Sequence, residues 1–220
     1  MQREKAWKVF QYPCIGMYSF IDFSISKHEK YADVLERVKS GETLLDLACG
    51  FGQDIRKLVF DGAPPENVAG SELEQSFIDG GYDLFRDRDS LKSKITAGDF
   101  FSEDWAGLKA LLFDIVYAAN FFHLFSWDEQ VETATRAVSL LKPKAGSMLF
   151  GRQTGVEKAG SIKHPATRSG EMYRHNGDSL KKMFEEVAEK LGTELDIEVS
   201  AAAKKAGAKW TMLMFTVTRK

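Results

Sequence analysis

Residues 43–54 read Thr-Leu-Leu-Asp-Leu-Ala-Cys-Gly-Phe-Gly-Gln-Asp, and no other stretch constrains the fold of this chain as much. Thr43 to Ala48 is an apolar run broken by one carboxylate, Asp46, which fits a buried strand. Gly50 and Gly52 then allow a tight turn whose backbone can approach a ligand. From Gln53 to Phe60 apolar residues return at helical spacing, at Ile55, Leu58 and Val59. Strand, glycine turn and helix in that order make a βα unit of the kind that cradles a nucleotide, within an α/β fold.

The residues around the turn select among cofactors. A dinucleotide fingerprint asks for a third glycine, and Ile55 occupies that place. A phosphate loop asks for Lys and Ser/Thr after its glycines, and neither is present. Acids flank the turn instead, Asp46 before it and Asp54 after it, which opposes phosphate and suits a cation. S-adenosylmethionine carries a sulfonium and an α-ammonium and no phosphate. The segment resembles the first motif of class I S-adenosylmethionine-dependent methyltransferases, the match falling on Asp46, Ala48, Gly50 and Gly52. Ala48 with Cys49 departs from the small glycines common there, a change of local packing more than of cofactor binding.

Later segments follow in the order the resemblance implies. Glu66 to Leu73 reads as a second strand ending at Glu72 and Leu73, about 20 residues past the turn, where a ribose-binding carboxylate belongs. Its alternative is a solvated acid at a strand end. A helix follows over 75–88, then Ile95 to Phe101, in which Asp99 and Phe100 match the family's adenine-binding acid at the end of the third strand and the backbone donor after it. Phe113 to Ala118 is a fourth strand, and Asn120-Phe121-Phe122-His123 comes after it. Amino-methyltransferases that act on bases carry a Pro-Pro pair at this point, and this chain has none. The formal net charge of −2, from 30 basic and 32 acidic side chains, gives no basic face for nucleic acid.

The resemblance implies a Rossmann-like class I methyltransferase fold: a mostly parallel seven-stranded sheet with an antiparallel C-terminal strand and helices on both faces. Residues 1–220 are read as one domain, with 1–40 an N-terminal helical lid and 41–220 the core. The lid segment is aromatic-rich, with Trp7, Phe10, Tyr12, Tyr18, Phe20 and Phe23, and serves as a cover over the site or as a homodimer contact. A helix is expected over 27–39, another over 130–141, a strand over 147–151, a long polar connection over 152–176, a helix over 179–191 stopped by Gly192, and strands over 194–199 and 210–218. The cofactor-binding set is Tyr12, Asp46, Ala48, Gly50, Gly52, Glu72, Leu73, Asp99, Phe100 and Asn120.

Composition agrees with a soluble cytoplasmic enzyme. The 220 residues, 44% of them hydrophobic, suffice for a sizeable core. No apolar stretch approaches the roughly 20 residues of a membrane span. The first residues mix charges and lack the apolar core of a secretory signal. Two cysteines make no disulfide framework; Cys49 reads as a packing residue, and Cys14 packs or lies near substrate. No Cys/His spacing suits zinc and the acids at 99, 103 and 104 lack the order of a magnesium site, so no metal is expected.

A closer resemblance reaches the N-terminus. Tyr12-Pro13-Cys14-Ile15-Gly16, His28-Glu29-Lys30-Tyr31, the run from Cys49 to Val59, Asp61-Gly62-Ala63-Pro64 and Met172-Tyr173-Arg174-His175 are similar to small fungal methyltransferases of meroterpenoid pathways. That resemblance implies methyl-ester formation on a carboxylic acid of an apolar terpenoid intermediate. Methyl transfer from sulfonium is an in-line displacement, whose main demand is alignment. A carboxylate is already ionised at pH 7, whereas a phenol near pKa 10 gains from a base. His123, His175 and Arg152 are the catalytic candidates, with Gln153 and Arg174 beside them and His28 a weaker one. Phe121, Phe122, Phe125 and Trp127 wall an apolar pocket or belong to the core. The alternatives are methylation of a hydroxyl or phenol with a histidine base, and a non-methylating binding or pericyclic role for the same fold.

Overall fold

The computed structural model describes residues 2–9, 11, 13–102, 105, 111–164, 167–202 and 210–220. They fall into two compact units, 1–111 and 112–220. Seven strands make a mostly parallel sheet.

The first unit runs α1 (Gln2–Val9), α2 (Pro13–Gly16), two 3-10 turns (Ser19–Ile21 and Ser24–Lys27), α3 (Tyr31–Lys39), β1 (Leu44–Leu47), α4 (Gln53–Phe60), a 3-10 turn (Pro65–Asn67), β2 (Val68–Glu72), α5 (Gln75–Phe85) and β3 (Lys94–Ala97). β1 pairs parallel to β2 and β2 parallel to β3. All four residues of β1 are buried, Asp46 among them. Such a run is what a strand covered on both faces requires. α4 occupies the span its apolar spacing predicts.

Two helix boundaries differ from expectation. α3 starts at Tyr31, not at 27, because the Asp54 carboxylate accepts from Ser24 Oγ (2.8 Å) and from Ile25 N–H (3.0 Å) and holds the preceding residues in a 3-10 turn. α5 stops at Phe85, where Arg86 turns left-handed (φ 55°). The aromatic N-terminal segment is part of this unit's core. Ala6, Ile15 and Phe20 bury against Phe51 and Phe77. The Phe20 and Phe51 rings stand 4.8 Å apart. Gly81 lets α5 lie against the backbone of Phe51, since a Cβ there would stand 2.2 Å from its carbonyl oxygen.

The second unit runs β4 (Ile115–Ala119), a 3-10 turn (Phe122–Leu124), α6 (Trp127–Ser139), β5 (Met148–Val156), β6 (Gly160–Lys163), β7 (Glu171–Arg174), α7 (Gly177–Leu191), β8 (Leu195–Ala201) and β9 (Trp210–Arg219). β4 pairs parallel to β5, β9 antiparallel to β5, and β8 antiparallel to β9. The closing antiparallel hairpin is therefore as expected. The long polar connection over 152–176 is not. β5 continues to Val156 because β9 is ten residues long and offers it a partner throughout, and the rest contains the β6–β7 hairpin.

α6 begins at Trp127, three residues before its apolar periodicity. Ser126 and Glu129 form a capping box there: Ser126 N–H donates to Glu129 Oε2 at 3.0 Å. Ser126→Ala is expected to lower stability by about 1 kcal/mol, measurable by thermal unfolding. α7 is capped by Asn176 Oδ1, which accepts from Ser179 N–H at 2.9 Å, and ends at left-handed Gly192. Among the described residues, no helix is long and apolar enough to cross a membrane.

Candidate functional site

The turn after β1 alternates into the left-handed region at Ala48 (φ 57°), Gly50 (58°) and Gly52 (65°). Glycine tolerates that backbone; Ala48 bears about 1–2 kcal/mol for its Cβ. Three devices hold the turn. Cys49 N–H donates to Ser71 O at 2.9 Å, tying the turn to β2. Glu72 Oε2 accepts from Gly50 N–H (2.8 Å) while Oε1 accepts from Leu73 (2.9 Å) and Glu74 (3.2 Å). On the other side the buried Arg56 donates from Nη1 to the carbonyls of Phe51 (2.7 Å) and Gly52 (3.1 Å). Asp87 fixes that guanidinium with two bonds of 2.6 and 2.8 Å. A Cβ built on Gly50 would meet nothing within 4 Å, so the turn's middle faces open space.

Asp46 lies at the root of this turn. It is buried, and its Oδ2 finds no hydrogen-bond partner among the described residues. Burial above all, then the charges of Asp54 and Glu72, push its carboxyl well above the usual range. Gln53 Oε1 and Thr96 Oγ1 are also buried and unpartnered among the described residues. A cationic hydrogen-bond donor is the group that the Asp46 carboxylate lacks among the described residues. Asp54, read from the sequence as part of the acidic surround, acts on Asp46 by its charge and also accepts from Ser24 Oγ and Ile25 N–H. Cys49 is buried, and burial raises its thiol, as befits an unreactive packing residue.

The remaining cofactor candidates are distributed less evenly. Leu73 is exposed just past Glu72. Asp99 is exposed, its Oδ1 accepting from Phe101 N–H at 2.8 Å. Phe100 is buried edge-on against Trp105, whose Nε1–H donates to Ser71 Oγ at 3.0 Å. Tyr12 lies outside the described residues.

In the second unit, Asn120 follows β4 with φ 53° and donates from its backbone to Arg152 O at 2.7 Å. His123 sits on the 3-10 turn after it. Its Nδ1 is buried without a partner among the described residues, and burial, then the charge of Arg174, lowers its pKa to about 4. The turn is anchored at Phe125 O, which accepts from Tyr173 N–H (2.8 Å) and Gln130 Nε2 (2.9 Å). Arg152 is half-buried on β5. His175 is fully buried, with Nδ1 2.9 Å from Ser179 Oγ and Nε2 3.1 Å from Gln130 Oε1. Both its nitrogens are engaged in joining α6 to the start of α7, and burial holds its pKa near 4. Phe122 packs on Phe184 and Phe215 and belongs to the core.

A family model described as the meroterpenoid methyltransferase N-terminal domain matches residues 2–21. The asnovolin E/chermesin D methyltransferase nvfJ of Aspergillus novofumigatus is 37% identical over 99% of this chain and 80% of its own. The chain belongs to the fungal meroterpenoid methyltransferase family. The O-methyltransferase phiE of a fungal species is 44% identical over 90% of the chain. The chain spans 66% of the length of phiE and 62% of that of another relative, the O-methyltransferase atr3 of Stereocaulon alpinum. Among solved structures, magnesium protoporphyrin IX methyltransferase from Synechocystis PCC 6803 with bound SAH superposes with TM-score 0.56 at 14% identity, covering 86% of this chain and 81% of that one. That likeness confirms the class I methyltransferase fold.

Arg56 and Gln53 entered the sequence reading only in passing, and Gln153 entered it as a candidate to orient a carboxylate, with nothing to show its burial. Arg56 holds the glycine turn through backbone carbonyls and a partner 31 residues away. Gln53 follows the second glycine, where a polar side chain at a helix start looks like ordinary solvent-facing sequence. Gln153 is fully buried on β5 although its neighbours Arg152 and Thr154 are polar.

Proposed function

We propose that this chain is an S-adenosylmethionine-dependent O-methyltransferase that forms a methyl ester on a carboxylic acid of an apolar terpenoid or meroterpenoid intermediate. The observation that carries the cofactor part is the buried Asp46 Oδ2, without a partner among the described residues, beneath a left-handed glycine turn. Asp46 and Gln53 would receive the α-ammonium. The lone pairs of Glu72 left over from its three backbone donors would receive ribose hydroxyls, and Asp99 with Phe100 would border the adenine. When bound, the cofactor supplies an electrophilic methyl group on sulfonium. The two units enter this reading as parts of one methyltransferase domain.

The acceptor assignment rests on protonation. His123, with its pKa near 4, is neutral at pH 7 and a feeble base. Taking a proton from a phenol of pKa about 10 would run uphill by about 8 kcal/mol, at 1.36 kcal/mol for each pKa unit. A carboxylate needs no such transfer. It needs orientation and partial desolvation, which a neutral imidazole and the cationic Arg152 and Arg174 would provide. His175 has no proton-transfer role in this scheme, because both of its nitrogens are engaged.

The test is a pH profile on an acid substrate. With S-adenosylmethionine saturating at every pH, wild-type kcat/KM for the acid is expected to stay flat between about pH 6 and 9, since the acceptor is ionised throughout. His123→Ala should lower kcat/KM about tenfold through lost orientation and add no pH limb. A wild-type acid limb that disappears in the variant would transfer the proposal to a hydroxyl acceptor.

A further inference from the structure

Gln130 is fully buried on α6, and its side-chain amide reaches three separate elements. Nε2 donates to Phe125 O at 2.9 Å and to Tyr173 O at 2.8 Å. Turning the amide over would set its oxygen against both carbonyls, so Oε1 is the atom that faces His175 Nε2, at 3.1 Å. That imidazole nitrogen therefore carries the hydrogen, and Nδ1 accepts from Ser179 Oγ at 2.9 Å. One side chain thus ties together the end of the 3-10 turn that bears His123, the strand that bears Arg174 and the approach to α7.

Filling this space does not require a polar group, since an apolar side chain of the same volume would spare the cost of burying an amide. What the amide adds is a fixed arrangement of the groups it bonds. Arg174 needs such an arrangement. It ends β7, which pairs with β6 in a two-stranded sheet apart from the main one. A hairpin of that kind is marginal without anchors. Its base is held where Tyr173 N–H donates to Phe125 O at 2.8 Å and where Gln130 Nε2 bridges that same oxygen to Tyr173 O. His123 stands two residues before Phe125 and Arg174 one residue after Tyr173. The charge of Arg174 is felt at the His123 ring.

We infer that Gln130 is a positioning residue for the acceptor: by holding Phe125 and Tyr173 on one amide, it sets the distance between His123 and Arg174. The inference rests on the reading above, in which those two groups orient the acceptor carboxylate, and adds what keeps them in register. His175 and Ser179 hold the amide in its turn, which gives this buried histidine a part in the site without proton transfer.

The test follows the His123 ring by nuclear magnetic resonance in the full chain, between about pH 5 and 8. Its signal is identified, among those of four histidines, as the one lost in His123→Ala. In the wild type it should barely titrate, because burial and Arg174 hold its pKa to about 4. Arg174→Ala should raise that pKa by about half a unit or more, and Gln130→Met by about a unit, as both the charge and the packing draw away. Gln130→Asn, one methylene shorter, should raise it less, and it decides the matter if the methionine variant does not fold. Val138→Ala opens a cavity on the buried face of the same helix. It should melt about 5–10 °C lower and leave the titration as in the wild type. A flat titration in Gln130→Met or in Arg174→Ala, or one in Val138→Ala as large as in Gln130→Met, would overturn the inference. Methyl ester formation on farnesoic acid should fall about tenfold in Gln130→Met and less than about twofold in Val138→Ala; equal rates in the wild type and Gln130→Met would also overturn it. Absence of the ester with the wild type would sink the acceptor reading, and the titration would still decide whether Gln130 sets the pair.

Discussion

Glu72→Ala is expected to weaken S-adenosylmethionine binding by about 100-fold, equivalent to about 3 kcal/mol, and to lower the stability of the free protein by about 2 kcal/mol. Two separate losses produce these effects. The carboxylate accepts from Gly50, Leu73 and Glu74 N–H, and hydrogen bonds to a charged acceptor contribute about 1.5–3 kcal/mol each. Against them stands the cost of burying the carboxylate, which is large enough to leave its pKa above the usual value despite three donors. The stability loss is therefore smaller than the bonds would sum to. Cofactor binding would have no such offset, because the turn loses the contact to Gly50 N–H and the ribose would lose its proposed acceptor. Glu72→Gln separates the two. An amide keeps one accepting oxygen but turns its NH2 toward one of the backbone donors, so it should recover much of the stability and little of the affinity. Calorimetric titration with thermal unfolding checks both, and near-wild-type affinity in the alanine variant would remove Glu72 from the cofactor site.

The parts of this fold legible in the sequence are those set by local rules. The β1 strand, the glycine turn and α4 were readable because burial, left-handed backbone and helical periodicity all act within a dozen residues, and Gly192 marked the end of α7 for the same reason. The capping box at Ser126 was equally local, yet the apolar spacing alone placed the helix start three residues late. What escaped depends on partners far along the chain. The 3-10 turn before α3 exists because Asp54 reaches back to Ser24 and Ile25, about 30 residues away. β5 outruns its predicted end because β9 is long enough to pair with it, and polar Arg152, Gln153 and Thr154 look like a loop until that partner is known.

The same division applies to the site. Asp46, Gly50, Gly52 and Glu72 could be proposed for a cofactor because the chemistry expected of them is bound to their position in one βα unit. His175 could not be separated from a catalytic histidine by sequence, since only the bonds to Ser179 and Gln130 reveal its structural part. Conversely nothing local distinguishes Gln153 from a solvated glutamine. Its burial comes with the pairing of β5 with β9, a property of the assembled sheet.

Asp46→Asn is expected to move stability and cofactor affinity in opposite directions. In the free protein a buried carboxylate without a partner for Oδ2 is costly, and burial with Asp54 and Glu72 raises its pKa well above 3.8. The sign follows from linkage. A raised folded-state pKa means that the folded protein holds the proton more tightly than the unfolded chain. This group's contribution to stability is therefore full below about pH 4 and is lost as pH rises through the folded-state pKa. Asparagine keeps the shape without the ionisation, so the variant should be more stable than the wild type at neutral pH, by about 1–3 kcal/mol, and should lack that pH dependence. Cofactor binding reverses the balance. An ammonium placed against Asp46 favours the ionised carboxylate, so binding in the wild type should tighten as pH rises and should release a proton from the protein. The proton would appear in calorimetry as a heat that changes with the ionisation enthalpy of the buffer. The asparagine variant has no such proton to release, and loss of a charge-assisted bond of about 1.5–3 kcal/mol should weaken binding about 10- to 150-fold. A variant that binds S-adenosylmethionine as tightly as the wild type, with the same buffer-dependent heat, would assign the orphaned oxygen of Asp46 to something other than the cofactor.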